Sequence, residues 1–145
     1  MSARELAEKF FGHVEAGDVD EILGMVTPDA AVSLVAPDRH GPMTADGASY
    51  LRELARAFPD LMVRVRRLFV SADNTAVAEI TIDGTQADDF LAVANQEKQV
   101  DLDQAWMLTF TPDDRISAVI AYWDQNQLYR RLGVKRLDQI TITAG

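Results

Sequence analysis

The stretch from Ile116 to Val134, ISAVIAYWDQNQLYRRLGV, decides how this chain is read. A run rich in β-branched residues stops at a lone carboxylate, Asp124, and a segment of helical character continues to Gly133. β-Branched and aromatic side chains suit a pleated, half-buried surface. A strand that delivers one acid to its end, beside aromatic groups, is a way to hold a general base at the mouth of a pocket. The same position suits an N-cap for a helix over 125–132, because an aspartate accepts N–H bonds from the first helical turn. Both roles stay open on the pattern alone.

The partner of that strand lies just upstream. From Val100 to Thr111 the chain alternates, with Leu102, Gln104, Trp106, Leu108 and Phe110 on one face and Asp101, Asp103, Ala105, Met107 and Thr109 on the other. Pro112-Asp113-Asp114 makes the turn. A three-residue loop sets Thr111 against Arg115, and counting outward opposes Gln104 to Tyr122, Trp106 to Ile120 and Leu102 to Asp124. Asp124 then shares the inner face with Gln104, Trp106 and Tyr122, where Gln104 or Tyr122 is placed to hydrogen-bond a developing enolate oxygen. A two- or four-residue loop opposes Asp124 to Asp103 on the other face instead. The apolar count favours the first register. Val119, Ala121 and Trp123 make the second face apolar too, so it is a candidate interface between two copies of the chain.

The N-terminal half reads as helices. Ser2 and Glu5 have the spacing of a capping box, and Leu6, Phe10 and His13 or Val14 follow at helical intervals until Gly17-Asp18. Val19 to Val26 reads as a second short helix, Asp29 to Ala36 as a strand, and Pro37 to Gly47 as a loop. A third helix, capped by Thr44 or Asp46 and stopped at Pro59, buries Tyr50, Leu51, Leu54 and Phe58. Leu61 to Ser71 and Thr75 to Gly84 flank Asp73-Asn74, read as a two-residue hairpin turn. That turn opposes Arg66 to Thr81, Arg64 to Asp83 and Arg67 to Ile80, and it pairs the arginine cluster with acids across the sheet. Gln86 to Gln99 is a loop long enough to cover something. Residues 1–134 are expected to form a single domain, with 135–145 a tail carrying a short strand-like TIT.

Helices followed by a run of antiparallel strands predict an α+β domain, with the helices against one face of the sheet. Length allows one well-buried core. The absence of cysteine fits a reducing, cytoplasmic setting, and the charges in MSARELAEKF are too close together for a leader peptide. No apolar run approaches the ~20 residues needed to cross a bilayer. A net charge of −9, from 23 acidic and 14 basic residues, opposes nucleic-acid binding. Two distant histidines without cysteine form no metal-ligand cluster, and there is no glycine-rich phosphate loop or nucleophile elbow.

Four stretches in order carry a family resemblance: AFPDL (57–61), VAEITIDGTQ (77–86), FTPDDRISAVIAYWD (110–124) and QLYRRLGV (127–134). Together the chain resembles the SnoaL-like polyketide cyclases of the nuclear-transport-factor-2-like superfamily. The resemblance implies a conical, curved, antiparallel or mixed sheet with helices packed on its concave face, no cofactor, and a homodimer through the outer sheet face. It also implies a small hydrophobic substrate and an intramolecular aldol-type reaction, in which the aspartate at position 124 takes and returns a proton. Gln104, Trp106, Tyr122, Gln86 and His40 are the expected substrate contacts. Gln86 stands where the family pattern has histidine, and 87–90 and 95–98 depart from it, all around the expected cavity mouth. Two other functions are compatible with the fold. One is a non-catalytic small-molecule-binding or accessory protein. The other is an epoxide hydrolase-like enzyme, using Asp101 or Asp103 and Arg64 in the outward register.

Overall fold

The structure is a computed structural model, and it describes residues 1–133; the expected tail, with its strand-like TIT, lies outside the described residues. Helix α1 (Ala3–Ala16) starts at the expected capping box, in which Glu5 N–H donates to Ser2 Oγ over 3.1 Å, and ends at Gly17 in the left-handed conformation. Helix α2 spans only Val19–Leu23, because Val26 already belongs to strand β1 (Val26–Leu34). The stretch read as a loop contains a short edge strand, β2 (Arg39–Pro42), and a π-helical turn, Met43–Gly47. That turn runs directly into α3 (Ala48–Ala57), which therefore has no side-chain cap from Thr44 or Asp46. Strands β3 (Met62–Val70), β4 (Thr75–Thr85), β5 (Gln99–Phe110) and β6 (Ile116–Trp123) follow, and α4 (Gln125–Arg131) closes the described chain.

The six strands form one sheet in the order β2-β1-β6-β5-β4-β3. Among the described residues only the β1–β6 pair is parallel; the other pairs are antiparallel. This is a mixed-sheet α+β fold, as expected. The inner face is a continuous core of Phe10, Phe11 and Val14 from α1, Tyr50, Leu51 and Leu54 from α3, and Leu102, Trp106 and Leu108 from β5.

Both hairpin registers differ from the sequence count, and a bulge contributes to each. The β5–β6 loop does have three residues, with Thr111 N–H donating to Arg115 O at 2.7 Å. The register then slips: Phe110 opposes Ile116, but Thr109 opposes Ala118, so Ser117 is an extra residue. Ile116, Val119 and Ala121 are all buried. Two inward residues three apart cannot both face the core in a regular strand of period two, and a bulge reconciles them. Beyond it Gln104 opposes Trp123, Trp106 opposes Ala121 and Ala105 opposes Tyr122, in place of the Gln104–Tyr122 and Trp106–Ile120 pairs expected. Tyr122 is consequently on the outer face, 43% exposed.

In β3 the apolar phase changes likewise between Val65 and Leu68, and the register shifts at Arg66. The β3–β4 turn is a three-residue loop rather than a two-residue one: Ser71 N–H donates to Thr75 O over 2.9 Å, and Asn74 takes a left-handed φ of 63°. Arg64 opposes Thr81 and Arg67 opposes Glu79. The arginines nonetheless pair with acids across the sheet, Arg64 with Asp83 at 4.0 Å, Arg67 with Glu79 at 3.7 Å, and Arg66 with Asp103, two strands away, at 3.8 Å. These pairs are exposed and contribute little stability each.

Candidate functional site

Asp124 stands between the last residue of β6 and the first of α4. Its Oδ1 accepts from Asn126 N–H at 2.8 Å and Gln127 N–H at 3.3 Å, so it is the N-cap of α4. Both capping bonds fall on Oδ1, leaving Oδ2 outside them. The carboxylate is solvent-exposed and does not share the inner face with Trp106. The Ser117 bulge is the cause, since it turns the odd–even phase of β6 before the strand reaches position 124.

An open depression of about 530 Å³ brings Asp124 together with Tyr122, Gln104 and Trp123, and with Arg66, Glu79 and Asp103 from the neighbouring strands. Three of the expected site residues therefore meet: Asp124, Gln104 and Tyr122. Trp106 does not line the depression. It lies beneath, in an aromatic cluster with Phe10 (centroids 5.8 Å), Phe11 (5.9 Å) and Tyr50 (6.4 Å). Tyr50 stacks on Trp123 at 5.7 Å, which joins the cluster to the depression.

The other two expected contacts are placed elsewhere. Gln86 is buried, and its amide is committed to the backbone of its own loop: Nε2 donates to Val93 O (3.2 Å) and Oε1 accepts from Gln96 N–H (2.8 Å). It holds the 86–98 loop together. His40 sits on edge strand β2, opposite Ser33, with Nε2 2.8 Å from Asp38 Oδ1 in an exposed pair.

One polar pair in the core escaped the sequence reading. Trp106 Nε1–H donates to Gln104 Oε1 over 3.0 Å. An indole can only donate, so this bond fixes the amide orientation and leaves Gln104 presenting its NH₂. That Nε2 and the Tyr50 hydroxyl are both buried and without a hydrogen-bond partner among the described residues. Burial pushes the Tyr50 phenol well above its usual range, outweighing the nearby Gln104 amide; Glu53 pushes the same way, and Arg39 opposes it. Tyr50 falls on the apolar stripe of α3, where a tyrosine reads as a core residue; only the orphaned hydroxyl marks it.

With this geometry in place, comparison with known proteins is informative. The family model described as SnoaL-like domain matches residues 7–119, and the chain belongs to that family. No curated protein sequence matches it. Among solved structures, AclR from Streptomyces galilaeus is 21% identical, with 92% of this chain and 97% of that one covered at a TM-score of 0.80. The epoxide hydrolase/cyclase-like enzyme SalBIII, which acts in pyran ring formation in the polyether salinomycin, is 22% identical over 86% of this chain and 92% of its own, TM-score 0.71. A protein of ketosteroid isomerase-like fold from Catenulispora acidiphila is 10% identical over 90% and 94%, TM-score 0.75. These likenesses establish the fold. No helix among the described residues is long and apolar enough to cross a membrane.

The buried hydroxyl gives a direct stability test. Tyr50→Phe removes an unpaired polar group without changing the ring, so urea denaturation is expected to show a gain of about 1 kcal/mol. A loss of that size would mean the hydroxyl has a partner in the folded protein. The same variant has a pH signature. Tyr50 stays protonated in the folded chain while the unfolded phenol ionises near pH ~10, so the folded state holds the extra proton and stability falls as pH rises above that point. Phenylalanine at position 50 is expected to abolish that share of the alkaline slope, ~1.4 kcal/mol per pH unit for one proton.

Proposed function

We propose that this chain is a cofactor-independent enzyme that moves a proton at a carbon next to a carbonyl, as an aldol-type cyclase or isomerase acting on a polyketide-like compound. The observation that carries the reading is the placement of Asp124, secured through Oδ1 alone, in one depression with Gln104 and Tyr122. The capping bonds fix the carboxylate in space while Oδ2 is left to take the α-proton and return it to the product alkoxide. Tyr122, on the rim, is available to the developing enolate oxygen. Trp123 and the aromatic cluster behind it offer apolar surface for a hydrophobic substrate. Neither Gln86 nor His40 borders the depression: Gln86 braces the 86–98 loop and His40 lies on the edge strand.

A second reading has its own observation. The Ser117 bulge sets Asp124 near Asp103, and Asp103 is paired with Arg66. Two carboxyls and an arginine in one depression match the needs of epoxide hydration: one carboxyl gives its proton to the epoxide oxygen, and the other takes a proton from the attacking water.

We also infer that a second copy of the chain covers the outer sheet face. Phe69, Val77, Met107 and Ile120 are opposed strand to strand and form an apolar row across β3, β4, β5 and β6. Phe69 is 48% exposed, and a row of this kind is unusual on a monomer's surface.

Asn caps helices as well as Asp, so Asp124→Asn separates chemistry from folding. The measurement is α-proton exchange of ethyl 2-methylacetoacetate in D₂O by proton NMR, above the buffer rate. Asp124→Asn is expected to lose about 100-fold or more with unchanged thermal stability, and unchanged exchange would end the acid/base reading. Asp103→Asn separates the two readings: proton exchange survives it under the first, whereas hydration of cyclohexene oxide is lost with it under the second. For the dimer, Ile120→Asp is expected to halve the mass seen by light scattering; a wild-type chain that already runs as a monomer refutes the interface.

A further inference from the structure

The chain carries a net charge of −9, and its larger depressions show that excess. The one that holds Asp124 also has Glu79 and Asp103 against a single Arg66. Another, between the α1–α2 turn and α3, sets Asp18, Asp20 and Glu21 against Arg52. A third, of about 330 Å³, departs from this pattern. It is bordered by Pro37 and Arg39 of the β1–β2 hairpin, Leu91 and Ala92 of the 86–98 loop, and Gln125 and Tyr129 of α4. Its rim has a guanidinium and no carboxylate. Asp38, beside Arg39 in sequence, lies 2.8 Å from His40 Nε2 and does not border it.

The polar groups of this outer depression are oriented from behind. Glu53, its side chain only 17% exposed, accepts from Arg39 Nη1 at 3.1 Å and, through its other oxygen, from Leu91 N–H at 2.7 Å. Both oxygens of Glu53 are committed, and the guanidinium is held in place with most of its N–H groups outside that bond. Gln125 is fixed by Trp123, whose indole Nε1–H donates to Oε1 over 2.8 Å. An indole only donates, so the Gln125 amide keeps its NH₂ for another partner. Between these groups lies the 90–93 turn, closed by Phe90 N–H to Val93 O (2.9 Å) and the reciprocal bond (2.8 Å). Leu91 and Ala92 within it are both left-handed, with φ of 47° and 66°, a conformation that persists only where the surroundings impose it.

We propose that this outer depression binds the carboxylate of a small aromatic acid, with Arg39 and the Gln125 NH₂ as its donors. Guanidinium and carboxylate are both planar and meet edge to edge through paired N–H···O bonds. The volume suits a one- or two-ring body, and Pro37, Leu91 and the Tyr129 ring give it apolar surface. A single negative charge fits better than a doubly charged phosphate, which the field of so acidic a chain repels more strongly. The site is separate from the depression that holds Asp124 and depends on no part of the acid/base reading. Trp123 stands between the two, bordering the first and hydrogen-bonded to the rim of the second.

That tryptophan supplies the readout. Benzoate is titrated against benzamide, a neutral molecule of nearly the same shape, while ¹H–¹⁵N spectra follow the Trp123 indole N–H; Trp123→Phe tells its signal from that of Trp106, the other tryptophan of the chain. Benzoate is expected to shift the signal and to bind about tenfold more tightly than benzamide, as charge-assisted hydrogen bonds imply. Arg39→Gln is expected to erase the preference. That change also deprives Glu53 of a partner, so Gln125→Glu provides a second test. It keeps an oxygen for the Trp123 indole, leaves the Arg39–Glu53 pair intact and puts a carboxylate on the rim. It is expected to lose benzoate binding at an unchanged melting temperature. Equal binding of the two probes, binding of neither, or a Gln125→Glu chain that keeps the preference overturns the proposal. So does displacement of benzoate by sulfate at equal concentration, which marks a general anion patch. Loss of the preference in Arg66→Gln but not in Arg39→Gln would put the anion beside Asp124, and overturns it equally.

Discussion

One extra residue in β6 governs this molecule. Ser117 has no opposite number on β5, and the slip it introduces decides which side chains of the last strand face the core and which face out. Without it, Ile116 and Val119 could not both be buried. With it, Trp123 turns inward to stack on Tyr50, Tyr122 turns outward, and the strand ends with Asp124 among the charged groups of the outer face. Bulges re-aim side chains at the ends of strands. Here the re-aiming separates an aromatic interior from a polar depression that share Gln104 and Trp123 as their common wall.

The division gives the two halves of the site different physical characters. The interior is aromatic and holds the Tyr50 hydroxyl and the Gln104 amide nitrogen without a hydrogen-bond partner among the described residues. The depression is open and holds three carboxylates, Asp124, Asp103 and Glu79, with Arg66 and Tyr122. Over 86–98, Gln86 uses both ends of its amide to brace the loop backbone.

Much of the architecture is legible in the residues themselves. The capping box at Ser2 and Glu5, the break at Gly17, the strict alternation of β5 and the three-residue turn before Arg115 each have one physical solution, and the structure adopts it. The bulges were not legible, because β6 is apolar in both phases: Ile120 and Tyr122 compete on pattern with Val119, Ala121 and Trp123. In β3 a signal was present, since the apolar phase changes across Arg66-Arg67, yet three arginines read equally well as one charged face. Strand β2 has the sequence Arg-His-Gly-Pro, which lacks β-branched residues; it pairs with β1 at the sheet edge, and Arg39 is tied to Glu53 of α3 at 3.1 Å. Asp124, Gln104 and Tyr122 were singled out from alternation and position, in a register that the Ser117 bulge replaces, and they border one depression for a different reason. Tyr50 was not, because a tyrosine on a helical stripe looks like a core phenylalanine until its hydroxyl is seen to lack a partner.

Asp124 is also the point at which α4 begins, and that gives the helix a link to the state of the carboxylate. An ionised acceptor holds two N–H groups of the first turn and complements the positive end of a helix. A proton on the carboxyl removes the charge and weakens that hold. On the proposed chemistry the helix start would loosen each time the acid is loaded and tighten each time it is spent. Gln125 and Tyr129 of α4 border the outer depression beside the 90–93 turn. The state of one carboxyl group would then reach that depression through one short helix.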